Sequence, residues 1–519
     1  MQKVIQCIDA LLINTFFDPD EYWQSLEVAH NLVFGYGYMT WEWKEMIRSF
    51  LHPLIFVVTF KLLDILHLDT TYLMIVVPKL VQGIISAIGD YYLYKLSIQI
   101  FNKQVAKWAL VCQLVSWYMF VCIVRTYSNS IECVLFIVSL YYFPLYEKLP
   151  QYQKHSKPKL SIALTAIAFL IRPTTAIMWI YILPYHIVSL YNKHKQHDAI
   201  KRILKFIIID VLCTGIIILL ISLCIDYYFY GQLVLVPYNF LYFNVIKNVS
   251  SFYGTHPFHW YFSQGLPAIA FTSLLFFVLA IKKLWSNGVD KQQLNLSFLT
   301  IFTVFCYSLL GHKEFRFILP ILPIVMMYSG YYINSTLTSN HSNSNKSKST
   351  QQTNEKSMPS FWIIFLLLLN IPMTVFFSNF HQRSPIDIMH YVNQEISPLA
   401  TIDNPISIHL LMSCHATPHQ SYIHNPNIDF KLLECPPPLN ANDPIDEKTE
   451  FFNDPLLFME KHYNQDKDYQ FPNYFIIRDD LIDTLDQYLV LNHYKSIHTF
   501  NFPLDITSSI VYVRQKQFK

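Results

Sequence analysis

Long apolar stretches recur through most of this sequence, and they constrain its fold more than any other feature. The clearest are LKFIIIDVLCTGIIILLISLC (204–224) and SFWIIFLLLLNIPMTVFF (360–377). A helix that crosses the hydrocarbon of a bilayer needs about 20 such residues. Further segments of this kind are expected near 3–17, 52–67, 71–88, 91–106, 108–124, 130–146, 160–171, 174–190, 266–283, 295–310 and 316–333, about thirteen in all. Two of them, 91–106 and 160–171, are short enough to be re-entrant or interfacial instead. Composition agrees. Over 519 residues the chain is 53% apolar and only 14% charged, whereas soluble domains carry about 25% charge. The expected fold is an all-α polytopic membrane protein with about 11–13 transmembrane helices. Residues 1–17 hold Lys3 and Asp9 with no small-residue cleavage site after them, so a retained first helix is expected rather than a signal peptide.

The placement of charge gives the sidedness. Lys103 and Lys107, Lys148 to Lys159, Lys193 to Lys205, Lys282 to Lys291 and Lys346 to Lys356 fall in alternate loops. Lysine-rich loops stay in the cytosol. The opposite side then receives the acidic first loop (18–51), the 226–265 loop, Gly311 to Arg316 and the tail from 380. The expected arrangement is a transmembrane domain over 1–379 with a cytosolic N-terminus, a disordered cytosolic loop at 334–358, and a luminal domain over 380–519. That tail holds 18 of the 36 acidic residues and strand-like runs at 406–411, 474–478 and 508–513, which predicts a small α/β domain. Net charge is +2, which gives no footprint for nucleic acid. Nine cysteines are too few for a disulfide scaffold. Cys414 and Cys435 share the tail and are candidates for one bridge, two free thiols being the alternative. Asn248 (NVS) is the sequon on the luminal side.

Scarce charge makes its exceptions informative. Asp20 and Glu21 follow the first apolar segment directly, where a partly dry setting can tune a carboxylate as a general base. Capping of the next helix by Asp20 is the simpler alternative. Trp41-Glu42-Trp43 looks like an interfacial anchor. His312, Lys313 and Arg316 gather three cations at the luminal boundary, against the charge rule, and suit a phosphate; a turn with snorkelling cations is the alternative. Arg125 and Arg172 lie beside apolar runs, where charge is expensive. Arg125 could pair with Glu132, and Arg172-Pro173 breaks a helix. Asp90 reads as part of a turn. In the 226–265 loop Tyr238, Asn239, His256, His259 and Trp260 offer the aromatic faces and polar groups that bind sugars, or else an aromatic belt. His256 and His259 have no third ligand nearby, so no metal is expected.

Several segments resemble the family 22 glycosyltransferases, polytopic mannosyltransferases of the endoplasmic reticulum: PDEYWQSLEVAH (19–30), RTYSNSIE (125–132), IRPT (171–174), VPYNFLYFN (236–244) and above all HKEFRF (312–317). GYGYMTWEW (35–43), FYGTHPFHWYFSQGLP (252–267) and CHATPHQSYIH with LLECPP (414–437) are similar to the branch that adds the third mannose in glycosylphosphatidylinositol (GPI) assembly. The resemblance implies a GT-C fold, dolichyl-phosphate-mannose as donor, a dimannosyl GPI precursor as acceptor and an α-1,2 linkage formed in the lumen with inversion. It implies Asp20 or Glu21 as base, His312, Lys313 and Arg316 at the donor phosphate with Arg125 and Arg172 as further candidates, and no cofactor. Two rivals remain. One is a relative acting on the dolichol-linked N-glycan precursor. The other is a lipid transporter or scramblase, which would favour an internal repeat that this sequence does not display.

Overall fold

The computed structural model describes residues 2–145, 155–193, 195–286, 288, 291–344, 358–439, 443–465, 470–500 and 509–514. Two compact units emerge. One comprises 1–10, 46–52 and 79–375; the other comprises 11–45, 53–78 and 376–519.

Helices make up the first unit. Among the described residues five helices are long and apolar enough to cross a membrane: Thr71–Ile100, Pro173–Lys193, Gln196–Tyr230, Phe315–Leu337 and Ile364–Leu399. A sixth candidate is broken, with Tyr261–Ala270 and Thr272–Ser286 meeting at 107°. The break sits at Phe271, whose φ is 45°. Neighbouring helices take up the polar groups around it: Trp117 Nε1 donates to Ala268 O (3.1 Å), Asn370 Nδ2 to Thr272 Oγ1 (2.9 Å) and Ser329 Oγ to Ser273 O (2.9 Å). Such substitution is what lets a discontinuous helix persist at membrane depth. Close packing needs small residues. A Cβ on Gly330 would lie 2.3 Å from Ala109 N, so only glycine lets Leu322–Ser344 lie against Lys103–Val115. Gln196–Tyr230 presents Ile208, Leu212, Ile216, Ile217 and Leu220 outward, as a lipid-facing helix should.

Four expectations change. The segments 71–88 and 91–106 are one helix, Thr71–Ile100. Asp90 lies within it rather than at a turn, and its carboxylate accepts from Gln6 Nε2 (2.6 Å) and Gln113 Nε2 (3.2 Å). The segment 52–67 forms Pro53–Ile65, 13 residues long; at 1.5 Å per residue it reaches about 20 Å, short of a bilayer core of about 30 Å. Its Phe56, Phe60 and Leu63 pack with tail residues such as Ile388, Met389 and Ile408 in one buried core of the second unit. The helix Leu322–Ser344 runs into the polar segment that begins at 334, while 345–357 lie outside the described residues.

The second unit carries a five-stranded sheet. Its strands are β1 (Ile406–Leu411), β2 (Ile428–Leu432), β3 (Tyr474–Arg478), β4 (Tyr494–Phe500) and β5 (Ser509–Arg514), in the order β2-β1-β3-β5-β4. β1 runs parallel to β2 and β3, and β5 antiparallel to β3 and β4. Alternation divides the strands between two cores. Ile406, Ile408, Leu410 and Ile476 enter one with the first-loop helix. Leu411, Phe475 and Ile477 enter the other, under Phe451, Phe458 and Leu485.

Candidate active site

Asp20 and Glu21 belong to the second unit. Asp18 prepares them: its Oδ1 accepts the Asp20 N–H (2.9 Å), and Pro19 O accepts from Tyr22 and Trp23 (both 3.0 Å). A π-helical turn (Tyr22–Leu26) and the helix Glu27–Phe34 follow, closed by Gly35 at φ 80°. Asp20 is half-buried, and Glu21 is only 4% exposed.

Positions 20, 23, 27 and 30 recur at helical spacing and share one face. The tail segment 414–424 lies along it. Trp23 is held between two imidazoles, His415 at 4.9 Å and His419 at 4.7 Å between ring centroids. Its indole N–H donates to Thr417 O (3.2 Å). The buried Glu27 carboxylate accepts from His419 N (2.7 Å), Ser421 Oγ (2.5 Å) and Ser421 N (3.3 Å). Burial raises the pKa of Glu27, and these donors pull it back only in part. His30 Nε2 lies 3.0 Å from His424 Nδ1, and His424 Nε2 lies 3.4 Å from Asp69. A disulfide joins Cys414 to Cys435 and anchors the start of the segment. Burial drives His419 and His30 down to about 3, and His415 to about 4 against the opposing pull of Asp20 and Glu434. These histidines are neutral near pH 7. Trp43 is buried, its indole donating to Trp23 O (3.2 Å), so it is a core residue and not an interfacial anchor.

The cationic residues belong to the first unit. Glu314 holds two of them: Oε1 meets His312 Nε2 at 2.8 Å and Oε2 meets Arg316 Nε at 2.5 Å. Burial alone would raise the Glu314 carboxyl, but Arg316 and His312 hold it well below the usual carboxylate range. Burial would depress His312, yet Glu314 outweighs it and the net shift is upward. The Lys313 ammonium turns inward to His256 O (2.8 Å) and Leu310 O. The backbone around it is pinned by Tyr261, whose OH donates to Glu314 O (2.9 Å). Arg172 Nε pairs with Glu132 Oε2 (3.3 Å), whose other oxygen accepts from Thr175 (2.7 Å). Glu132 is thus the partner of Arg172 and not of Arg125. Arg125 is 1% exposed and donates through Nε to Val121 O (3.1 Å). The helix break expected at Arg172-Pro173 is present, between Pro158–Ile171 and Ala176–Lys193.

Arg48 joins this group, and the sequence reading missed it. Arg172 feels both Arg48 and Arg316 as like charges. The Arg48 guanidinium lies 5.8 Å from the Phe240 ring centroid, and its carbonyl accepts from Tyr230 OH (2.6 Å). Nearby, Asn239 Nδ2 donates to Met46 O (3.3 Å). Tyr238 is 58% exposed. His256 stacks on Trp260 at 4.5 Å, while His259 Nδ1 turns to Ser263 Oγ (2.9 Å). Among the described residues no group of three or more His, Cys, Asp or Glu could hold a metal. Asn248 is exposed, with φ 52°.

The Alg9-like mannosyltransferase family matches residues 2–424. The Arabidopsis thaliana mannosyltransferase APTG1 is 40% identical, over 98% of this chain and 91% of its own. GPI alpha-1,2-mannosyltransferase 3 is 38% identical in Bos taurus (99% of this chain, 88% of that one) and 36% in Homo sapiens (99% and 86%). The fold is that of ArnT from Cupriavidus metallidurans in the apo state, with TM-score 0.58 and 12% identity over 99% of this chain and 97% of that one.

Proposed function

The chain belongs to the Alg9-like mannosyltransferase family, and from that premise we propose that it moves mannose from dolichyl-phosphate-mannose to the dimannosyl GPI precursor, as the third mannose in α-1,2 linkage. One observation carries this reading: similarity to GPI alpha-1,2-mannosyltransferase 3 extends over 99% of the chain in the bovine and human proteins, tail included. A β-linked mannosyl phosphate that gives an α product is displaced once, with inversion. The displacement needs a base for the acceptor hydroxyl proton and cations for the departing phosphate. Asp20 or Glu21 supplies the base. Arg316 and His312, with Arg48 and Arg172, supply the positive field. Lys313, tied to two carbonyls, holds the loop that carries them, and Arg125 lies deeper still. Tyr238, Asn239, His256, His259 and Trp260 are suited to the acceptor glycan.

Sidedness supports the same reading. Lysine-rich loops stay in the cytosol, and by that rule the tail lies on the luminal side of the endoplasmic reticulum. Incubation of the purified protein with labelled dolichyl-phosphate-mannose and each lipid acceptor tests the function. Product on the GPI precursor alone is expected. Product on the dolichol-linked oligosaccharide, or none with any acceptor, would refute it.

A further inference from the structure

The segments 254–261 and 311–316 of the first unit are bonded together along their length. His256 N donates to Gly311 O (3.0 Å), and Gly254 O accepts from His312 Nδ1 (2.8 Å). Lys313 Nζ donates to His256 O (2.8 Å). Tyr261 OH donates to Glu314 O (2.9 Å) and accepts from Glu314 N (3.2 Å). These bonds use the backbone of His256 and leave its imidazole to stack on Trp260, with centroids 4.5 Å apart and planes at 19°. Phe315, from the other segment, meets the same indole at 4.9 Å. Trp260 is buried, and it has room because residue 265 is glycine: a Cβ there would lie 2.9 Å from the indole ring. His256 and Phe315 are both exposed. The result is a fixed shelf, two exposed rings resting on a buried third. His259 is not part of it, since its imidazole turns to Ser263.

The position of the shelf in the chain says what it holds. Phe315 stands between Glu314 and Arg316, an ion pair at 2.5 Å within the group that faces the departing phosphate. In a mannosyl phosphate a single oxygen separates the sugar from phosphorus. A donor whose phosphate meets Arg316 therefore lays its mannose against the residues that adjoin Arg316. A pyranose offers C–H groups that pack on aromatic faces, and hydroxyls that an imidazole can bond. A lipid tail would match Phe315 but not the imidazole. We propose that His256 and Phe315, seated on Trp260, bind the mannose ring of the dolichyl-phosphate-mannose donor. This rests on the mannosyltransferase reading above, and it moves His256 and Trp260 from the acceptor glycan to the donor sugar; Tyr238 and Asn239 stay with the acceptor. The shelf lets the enzyme distinguish the loaded donor from dolichyl phosphate, the product that keeps the same lipid and the same phosphate but has lost the sugar.

Phe315→Leu and His256→Ala test this in the full-length protein. Neither removes a backbone bond between the two segments, so both should melt like wild type. Each should raise KM for dolichyl-phosphate-mannose by about 3- to 10-fold, the worth of one ring contact, and leave the acceptor KM unchanged. Dolichyl phosphate, added as a competitive inhibitor, should inhibit both variants as it inhibits wild type. That comparison holds even for a variant that melts lower, because a general distortion weakens both lipids alike. A parallel loss of donor affinity and of dolichyl phosphate inhibition would mean that the rings hold the lipid or the phosphate, and would overturn the proposal. A raised acceptor KM would return the shelf to the acceptor, and unchanged constants throughout would make it an aromatic belt; either result also overturns it. Failure of the underlying reading shows separately, as wild-type protein that makes no product with any acceptor.

Discussion

Acidification should loosen the second unit, by an amount its buried histidines set. His30 is fully buried against Phe34 and His424, His419 against Trp23 and Phe430, and His409 of β1 against Tyr463, whose OH lies 2.8 Å from Nδ1. Burial lowers each from 6.5 to about 3. A histidine with a depressed folded pKa binds its proton preferentially when unfolded. Its stabilising contribution is therefore complete above pH 6.5 and drains away as pH falls toward 3. Linkage gives about 1.4 kcal/mol per histidine between pH 7.5 and 5.5, or about 4 kcal/mol for three. Glu27 acts in the opposite sense, because its raised pKa returns stability as pH falls. A variant isolates one group from that background. His30→Leu removes one titration, so its stability should fall by about 1.4 kcal/mol less than wild type over the same interval. For a unit of this size that is a difference of about 3–6 °C in the change of melting temperature, read by tryptophan fluorescence at the two pH values. Identical pH dependence in the two proteins would show that His30 takes up its proton without leaving its pocket, and would refute the reasoning.

Glu27→Ala leaves the N–H groups of His419 and Ser421 without their acceptor; each buried orphan costs about 1–3 kcal/mol, so the variant should melt lower and be cleaved in the 414–424 segment by proteases that spare wild type. Glu132→Gln removes the countercharge of the buried Arg172 and should cost about 3–5 kcal/mol, measured by thermal unfolding; a neutral result would mean that Arg172 has another anion in place. Asn248 should carry a glycan if the 226–265 loop is luminal. Endoglycosidase should then shift wild type but not Asn248→Gln on a gel, and an unshifted wild type would count against that sidedness.

Hydropathy made the membrane helices legible because burial in lipid and burial in a helix bundle select the same side chains. That equivalence also explains the two misplacements. Pro53–Ile65 is apolar because Phe56, Phe60 and Leu63 face the core of the second unit, and no hydropathy scale separates that core from lipid. Gly89-Asp90 looks like a turn because a carboxylate is expected to seek water; here Gln6 and Gln113 satisfy it inside a continuous helix. The strands follow the same logic. β1, β3 and β5 are contiguous apolar runs and were visible. β2 (IDFKL) and β4 (YKSIHTF) stand at the two edges, with mostly exposed or half-exposed interiors, and carry too little apolar signal to be recognised alone. Each motif of the candidate site was legible in isolation, since intramembrane and boundary charges are rare enough to be noticed. What no local pattern could give was their pairing across almost 400 residues. The one hint was the recurrence of Asp20, Trp23, Glu27 and His30 on a single helical face, too polar to be a lipid-facing stripe and therefore in need of a polar partner. The tail histidines are that partner. Burial against that face lowers His415 and His419, so the contacts that pair the helix with the tail also contribute to the acid sensitivity of the unit.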